Sequence, residues 1–364
     1  MNVSPRLIEI FLEVAKIEGL SGNEKAIADY IKSFLEKLGL AVMEDDTAQL
    51  SGGNCGNLIC NIGSGGNFAL LAHMDTARST GNLKAVVTAD RICSDGSTIL
   101  GADNRAGVAV ILYTIENTIR NNIPHQDFTA AFTVCEETTL IGSQNLSLDK
   151  NIEMAFVFDS SKRPGHFISQ SYGAQRFTIN IIGKASHSGV APEKGVSSIS
   201  AAAKAIANLQ FGRIDEITTA NIGKISGGTA TNVVPEKTVL EGEVRSLNPE
   251  NVEIVVANIE REFRFAADYF GAILEFESNW DFKPYRLTPD MAIYQRIETA
   301  IAAAGLSPKP STTPGGSDAN SLNGNDLPAV NIGIGAQNPH ANDEFILLED
   351  LQKSVEIAMA LIRY

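Results

Sequence analysis

The sequence predicts an α/β fold: a mixed, mostly parallel sheet with helices on both faces, and a smaller α+β unit inserted into it. Three observations carry this. From the N-terminus to about Tyr172, short apolar, strand-like runs alternate with helical segments. From about Tyr172 the pattern changes to alternating polar and apolar residues, as in half-exposed antiparallel strands. After about Pro284 the first style resumes.

The opening segment, MNVSPRLIEIFLEVAKIEGLSG, carries Glu9, Glu13 and Glu18 within its apolar stretch. It reads as an amphipathic helix and not as a signal peptide. Ser21-Gly-Asn-Glu24 has capping-box spacing ahead of a helix at 26–38, with Gly39 as its stop. Strand-like runs follow at 57–62, 68–73 and 128–135, with a helix at 106–120 and a further apolar run at 155–158. Gly63-Ser-Gly-Gly66 is expected to be a hairpin turn, because neither a helix nor Lys-Ser/Thr follows it as a phosphate loop requires.

Residues 176–182 alternate like a half-exposed strand. A helix at 196–209, strands at 217–225 and 237–245, a helix at 249–269 and a strand at 272–276 complete the insertion. A helix at 289–304, a strand at 329–334 and a helix at 348–362 return to the first unit. The expected domains are therefore 1–173 with 285–364, and 174–284 between them.

With 364 residues, 44% hydrophobic and 20% charged, the chain has a soluble globular composition and length enough for two domains. Its net charge of -14 argues against nucleic acid or an anionic membrane as partner. No apolar run reaches the roughly 18 residues of a spanning helix. Cys55, Cys60, Cys93 and Cys135 lack zinc-finger and redox spacing and read as free thiols of a cytoplasmic protein, with Cys135 a small buried hydrophobe.

Residues of metal-ligand type end three strand-like segments: His73-Met-Asp75, Glu136-Glu137 and Asp159. Asp103, in Leu100-Gly-Ala-Asp-Asn-Arg-Ala-Gly107, stands just ahead of a helix, and His340 lies in the loop Asn338-Pro-His-Ala-Asn342. Open α/β sheets bind ligands at the carboxyl ends of their strands, so these residues are expected to converge. His73 and Asp75 share a strand face, which suits one as ligand and the other as its hydrogen-bonded orienter. Several carboxylates at one sheet edge repel unless cations neutralise them. Two divalent ions fit, each with one histidine and one terminal carboxylate, sharing a bridging carboxylate and a water. Zinc suits such mixed N/O ligands. One acid of the Glu136-Glu137 pair then binds metal while its neighbour accepts a proton.

This ordered set resembles the dinuclear-zinc exopeptidases that include tripeptidase T, carboxypeptidase G and succinyl-diaminopimelate desuccinylase. The resemblance spans nearly the whole chain. It rests on the His-x-Asp strand end, the Gly-Ala-Asp-x-x-x-Gly turn, the Glu-Glu pair, the later Asp, Ala185-Ser-His-Ser-Gly189 and a final histidine. The tripeptidase T-like branch is the most similar, through Ile99-Leu-Gly-Ala-Asp-Asn104 and Gly315-Gly-Ser-Asp-Ala-Asn320. It implies that His73, Asp103 and Asp159 hold one zinc, and that Asp103 bridges to a second held by Glu137 and His340. Cobalt or manganese would suit the same ligands. Glu136 would be the general base toward a metal-bridging water, and Asp75 the orienter of His73.

By the same resemblance the insertion is a lid and dimerisation domain. His187 would stabilise the oxyanion, reaching the partner subunit's site as in relatives, so a homodimer is expected. Asn232 and Arg245 would bind the substrate's carboxylate, and Gly315, Gly316 and Ser317 would line the substrate cleft. Tripeptidase T proper has an arginine immediately before its Gly-Gly pair, whereas this chain has Pro314 after Thr312-Thr313. A fixed guanidinium for a peptide carboxylate is absent from that position. The expected activity is a metallo-exopeptidase, an aminopeptidase of short peptides. The alternatives are an N-acyl amino acid amidohydrolase on the same scaffold and a non-catalytic relative.

Overall fold

The computed structural model describes residues 3–363; residues 1, 2 and 364, at the outer limits of the expected domains, lie outside the described residues. Two compact units are present. One holds the chain up to Gln170, then Arg286–Thr313 and the chain from Ser317 onward. The other holds Ser171–Tyr285 with Pro314–Gly316.

The first unit opens with a helix, Pro5–Ala15, started by Ser4 and Pro5. Its buried Leu7, Ile10, Phe11 and Val14 form one stripe at helical spacing, packed on the long helix Ala102–Arg120. The helix Lys25–Glu36 follows, but the expected capping box does not form. The Ser21 hydroxyl donates to Asp75, and Glu24 Oε1 accepts the N–H groups of Gly22 and Cys135. Both side chains serve partners distant in sequence, which outcompete the local cap.

Strands of the main sheet run in the order Val42–Glu44, Leu58–Ile62, Phe128–Thr133, Phe68–His73, Met154–Ser160, Ala329–Gly333, His166–Ser171. The central four, from Phe128–Thr133 to Ala329–Gly333, are parallel, and their flanking strands are antiparallel. Phe68–His73 and Phe128–Thr133 are buried at every residue, so both sheet faces are covered. Ala102–Arg120 and Asp318–Gly324 supply helical cover against the central strands.

Gly63–Gly66 is not a hairpin turn: Phe128–Thr133 lies between the two strands it joins. The turn passes against the start of that middle strand. A Cβ on Gly66 would stand 1.8 Å from the Asp127 carbonyl oxygen, so only glycine permits the approach.

The second unit is an antiparallel sheet in the order Gly212–Arg213, Thr218–Gly227, Lys237–Ser246, Gly173–Ile182, Ile273–Phe282. Its central strands Lys237–Ser246 and Gly173–Ile182 largely alternate buried and half-buried residues, and the helices Ser198–Asn208 and Pro249–Phe270 cover the apolar face. Phe177, Ile179, Leu240, Val244, Ile259 and Phe263 lie at the centre of that core. Gly315 and Gly316, expected in the catalytic part, group with this unit. Ser171 Oγ donates to the Gly315 carbonyl, and Gly316 leaves room for the Phe282 ring, 2.6 Å from where a Cβ would stand.

Candidate active site

Parallel strands bring their carboxyl ends to one edge of the main sheet, and the predicted ligands of the first unit gather there. His73 ends its strand opposite Thr133. Beyond Thr133 the chain turns at Cys135, whose φ is +54°, and Glu136 and Glu137 open a four-residue helix. Asp75 organises this corner. Its Oδ1 accepts the Glu136 N–H and its Oδ2 the Glu137 N–H, both at 3.1 Å, and Ser21 Oγ donates to Oδ2 at 2.6 Å. One fully buried carboxylate thus fixes both members of the glutamate pair.

His73 is 1% exposed. Its Nδ1 lies 3.1 Å from the Asp75 carbonyl oxygen and 3.3 Å from Asp75 Oδ1. Both neighbours are acceptors, so Nδ1 carries the hydrogen and Nε2 is the ligand-type atom of the neutral ring. That Nε2 is 3.2 Å from Asp103 Oδ1 and 3.3 Å from Asp159 Oδ1. Asn331 Nδ2 donates to the other Asp159 oxygen.

Asp103 and Asn104 depart from helical geometry at the start of Ala102–Arg120, and the peptide between them is cis. The second Asp103 oxygen, Oδ2, is 3.5 Å from His340 Nε2, which is 2.9 Å from Glu137 Oε2. Two sets result, His73–Asp103–Asp159 and Asp103–Glu137–His340, each with its ligand atoms within 4.8 Å of one another. Asp103 belongs to both, presenting one oxygen to each.

The electrostatics of this cluster call for cations. Burial raises the Glu136 pKa well above the usual carboxylate range, and Asp159, Asp318 and Glu137 add to the rise against the opposing His73. Burial likewise raises Glu137. His340 is pushed up to about 10 by its bonds to Asp103 and Glu137. Burial alone would lower His73, yet Glu136 and the bonded aspartates hold it well above its ordinary value. Among the described residues, Glu137 Oε1 is buried with no hydrogen-bond partner, a costly arrangement for an anion unless it faces a cation. Carboxylate and imidazole donors in two sets joined by a shared carboxylate fit two divalent ions.

Sequence reasoning missed four buried groups around this centre. Asp318 accepts from Thr133 Oγ1 at 2.5 Å, and burial takes its pKa to about 6. Its signal was adjacency to Gly315-Gly-Ser317. Glu344, four residues after His340, accepts from the Gly101 and Asp103 N–H groups. Arg105 and Glu24 are buried behind Asp75; the spacing of Glu24 suggested only a helix cap, and nothing in that of Arg105 singled it out. Ser317, expected to line the cleft, is 3% exposed and caps the helix Asp318–Gly324 in a reciprocal box with Asn320.

The remaining predicted residues belong to the inserted unit. His187 is exposed and its Nδ1 accepts the Gly189 N–H at 3.2 Å. The neutral ring therefore carries its hydrogen on Nε2, as an outward donor. Asn232 is exposed, and its carbonyl accepts the Ser188 N–H. Arg245 is committed within the unit: Nε and Nη2 pair with Glu243, Nη1 donates to the Pro314 carbonyl, and the guanidinium lies 5.9 Å from the Phe282 ring centroid.

Fold and paired ligand sets define a class, the metal-dependent exopeptidases. A model of the M20 peptidase dimerisation domain matches residues 170–268, and one of the M42 glutamyl aminopeptidases matches residues 84–199. The crystal structure of aminopeptidase PepT from Bacillus cereus is 34% identical, with a TM-score of 0.91 over 99% of this chain and 98% of that one. A tripeptidase structure from Staphylococcus aureus is 32% identical, with a TM-score of 0.92 over the same shares. The Bacillus subtilis protein YqjE, described as uncharacterized, is 36% identical over 98% of this chain and 97% of its own length. Peptidase T of Aeromonas hydrophila is 29% identical over 77% of this chain and 70% of its own. The chain belongs to the dinuclear-metal exopeptidase family, in its tripeptidase T-like branch.

Proposed function

We propose that this chain is a metal-dependent aminopeptidase that hydrolyses short peptides in the cytoplasm, with two zinc ions and as a homodimer. The observation that carries the reading is Asp103, whose two oxygens face two histidine-containing ligand sets beside Glu136. His73 and Asp159 would hold one ion, Glu137 and His340 the other, with Asp103 between. When bound, such ions would supply Lewis acidity to the scissile carbonyl and lower the pKa of the attacking water. Glu136 accepts the proton of the attacking water and delivers it to the leaving amine. Asp75 holds the Glu136 backbone while the side chain does this. His187 offers its Nε2 hydrogen to the oxyanion, and Asn232 and Arg245 meet the substrate's carboxylate. Gly315, Gly316 and Ser317 shape the cleft, Ser317 by capping the helix that follows. Among the described residues no helix is long and apolar enough to cross a membrane.

A panel of tripeptides, dipeptides and N-acyl amino acids, assayed at defined zinc loading, tests the substrate class. Release of the N-terminal residue from peptides is expected. Turnover of N-acyl amino acids alone would replace the aminopeptidase reading with an amidohydrolase, a result that Pro314 would suit. For His187→Ala, kcat is expected to fall about 10²–10³-fold, the usual cost of one oxyanion donor, with a smaller change in KM. Light scattering on the wild type should give a dimer. A monomer would remove the role of His187 at a partner subunit's site, and a His187→Ala variant with wild-type kcat would remove that residue from the mechanism.

A further inference from the structure

We infer that Glu344, together with Arg78, is a positioning residue for the second metal ion: it ties the loop carrying His340 to the turn carrying Asp103. The inference rests on the ligand assignment above.

The loop 338–344 needs external support. Asn338 and His340 adopt positive φ values of 53° and 67°. Asparagine and histidine enter the left-handed region more often than most residues, but it remains a sparsely occupied conformation for any residue other than glycine. The His340 backbone is held in it from outside. Arg78 Nη1 donates to the His340 carbonyl at 3.1 Å and to Asn342 Oδ1 at 3.0 Å. Arg78 stands three residues after Asp75, so this contact joins the loop to the His73 strand end.

Glu344 ties the far side. It is fully buried, and its Oε2 accepts the Gly101 N–H at 2.7 Å while its Oε1 accepts the Asp103 N–H at 3.0 Å. Its own N–H donates to the Ala341 carbonyl, closing the loop on itself. A carboxylate taking two backbone donors from one turn fixes that turn's position as well as its own. The distance between Asp103 Oδ2 and His340 Nε2, and with it the second ligand set, is set through this tie. The first set depends less on it, since His73 and Asp159 are carried by sheet strands.

Replacing Glu344 by glutamine keeps the shape but substitutes an NH2 for one acceptor, so one of the two N–H groups faces a donor. The test is isothermal titration of the metal-stripped full-length protein with Zn2+. Wild type is expected to take two ions, and His340→Ala one. In Glu344→Gln, affinity for the second ion should fall at least tenfold further than that for the first, with the circular dichroism spectrum unchanged. Arg78→Ala, an exposed change, should act in the same direction and carries the test if Glu344→Gln does not fold. Wild-type affinity for the second ion in either folded variant overturns the inference, as does equal weakening of both ions. Wild-type protein taking fewer than two ions would instead overturn the ligand assignment.

Discussion

Glu136→Gln is expected to bind both ions as the wild type does and to lose turnover about 10²–10⁴-fold, the range for removing a positioned general base. Glutamine matches glutamate in shape, and the backbone contact to Asp75 comes from the Glu136 N–H, which the change leaves in place. Glu137, the neighbouring ligand, keeps its own bond to Asp75. The variant therefore separates proton transfer from metal binding. The check is kcat on a short peptide beside metal content per chain. Full turnover at full loading would show that Glu136 is not the base.

Asp103→Ala should have the broadest effect, because this carboxylate is common to both sets. It removes the oxygen beside His73 Nε2 and the one beside His340 Nε2 together. Loss of at least one ion and of activity is expected. Thermal stability gives a second readout. A ligand bound only by the folded state stabilises it by about 4 kcal/mol at a thousandfold excess over Kd. Wild-type Tm should thus rise on adding zinc, and that rise should shrink or vanish in Asp103→Ala. An equal zinc-dependent rise in both proteins would show that Asp103 does not link the sites.

Much of the centre was legible in sequence because parallel strands deliver their final residues to one edge. His73, Glu136 and Asp159 stand at the ends of short apolar runs that read as buried strands, Asp103 and His340 were read from a helix start and a loop outside those runs, and the resemblance divided the five ligands between two ions. Local motifs were less dependable. Ser21-Gly-Asn-Glu24 has the spacing of a capping box, yet its polar side chains serve Asp75 and Cys135, partners over fifty residues away. Gly63-Ser-Gly-Gly66 has the composition of a hairpin turn, yet sheet order depends on pairings that adjacency in sequence does not encode. Glu344 and Asp318 escaped because a single buried carboxylate has no periodicity. Each is defined by backbone N–H or hydroxyl donors that only the fold assembles.

The proposed site requires two ions that share Asp103. Anomalous diffraction from zinc-loaded crystals tests it most directly. Two peaks about 3.5–4 Å apart are expected, one among His73, Asp103 and Asp159, the other among Asp103, Glu137 and His340. A single peak in zinc-saturated crystals, or peaks away from Asp103, would contradict it.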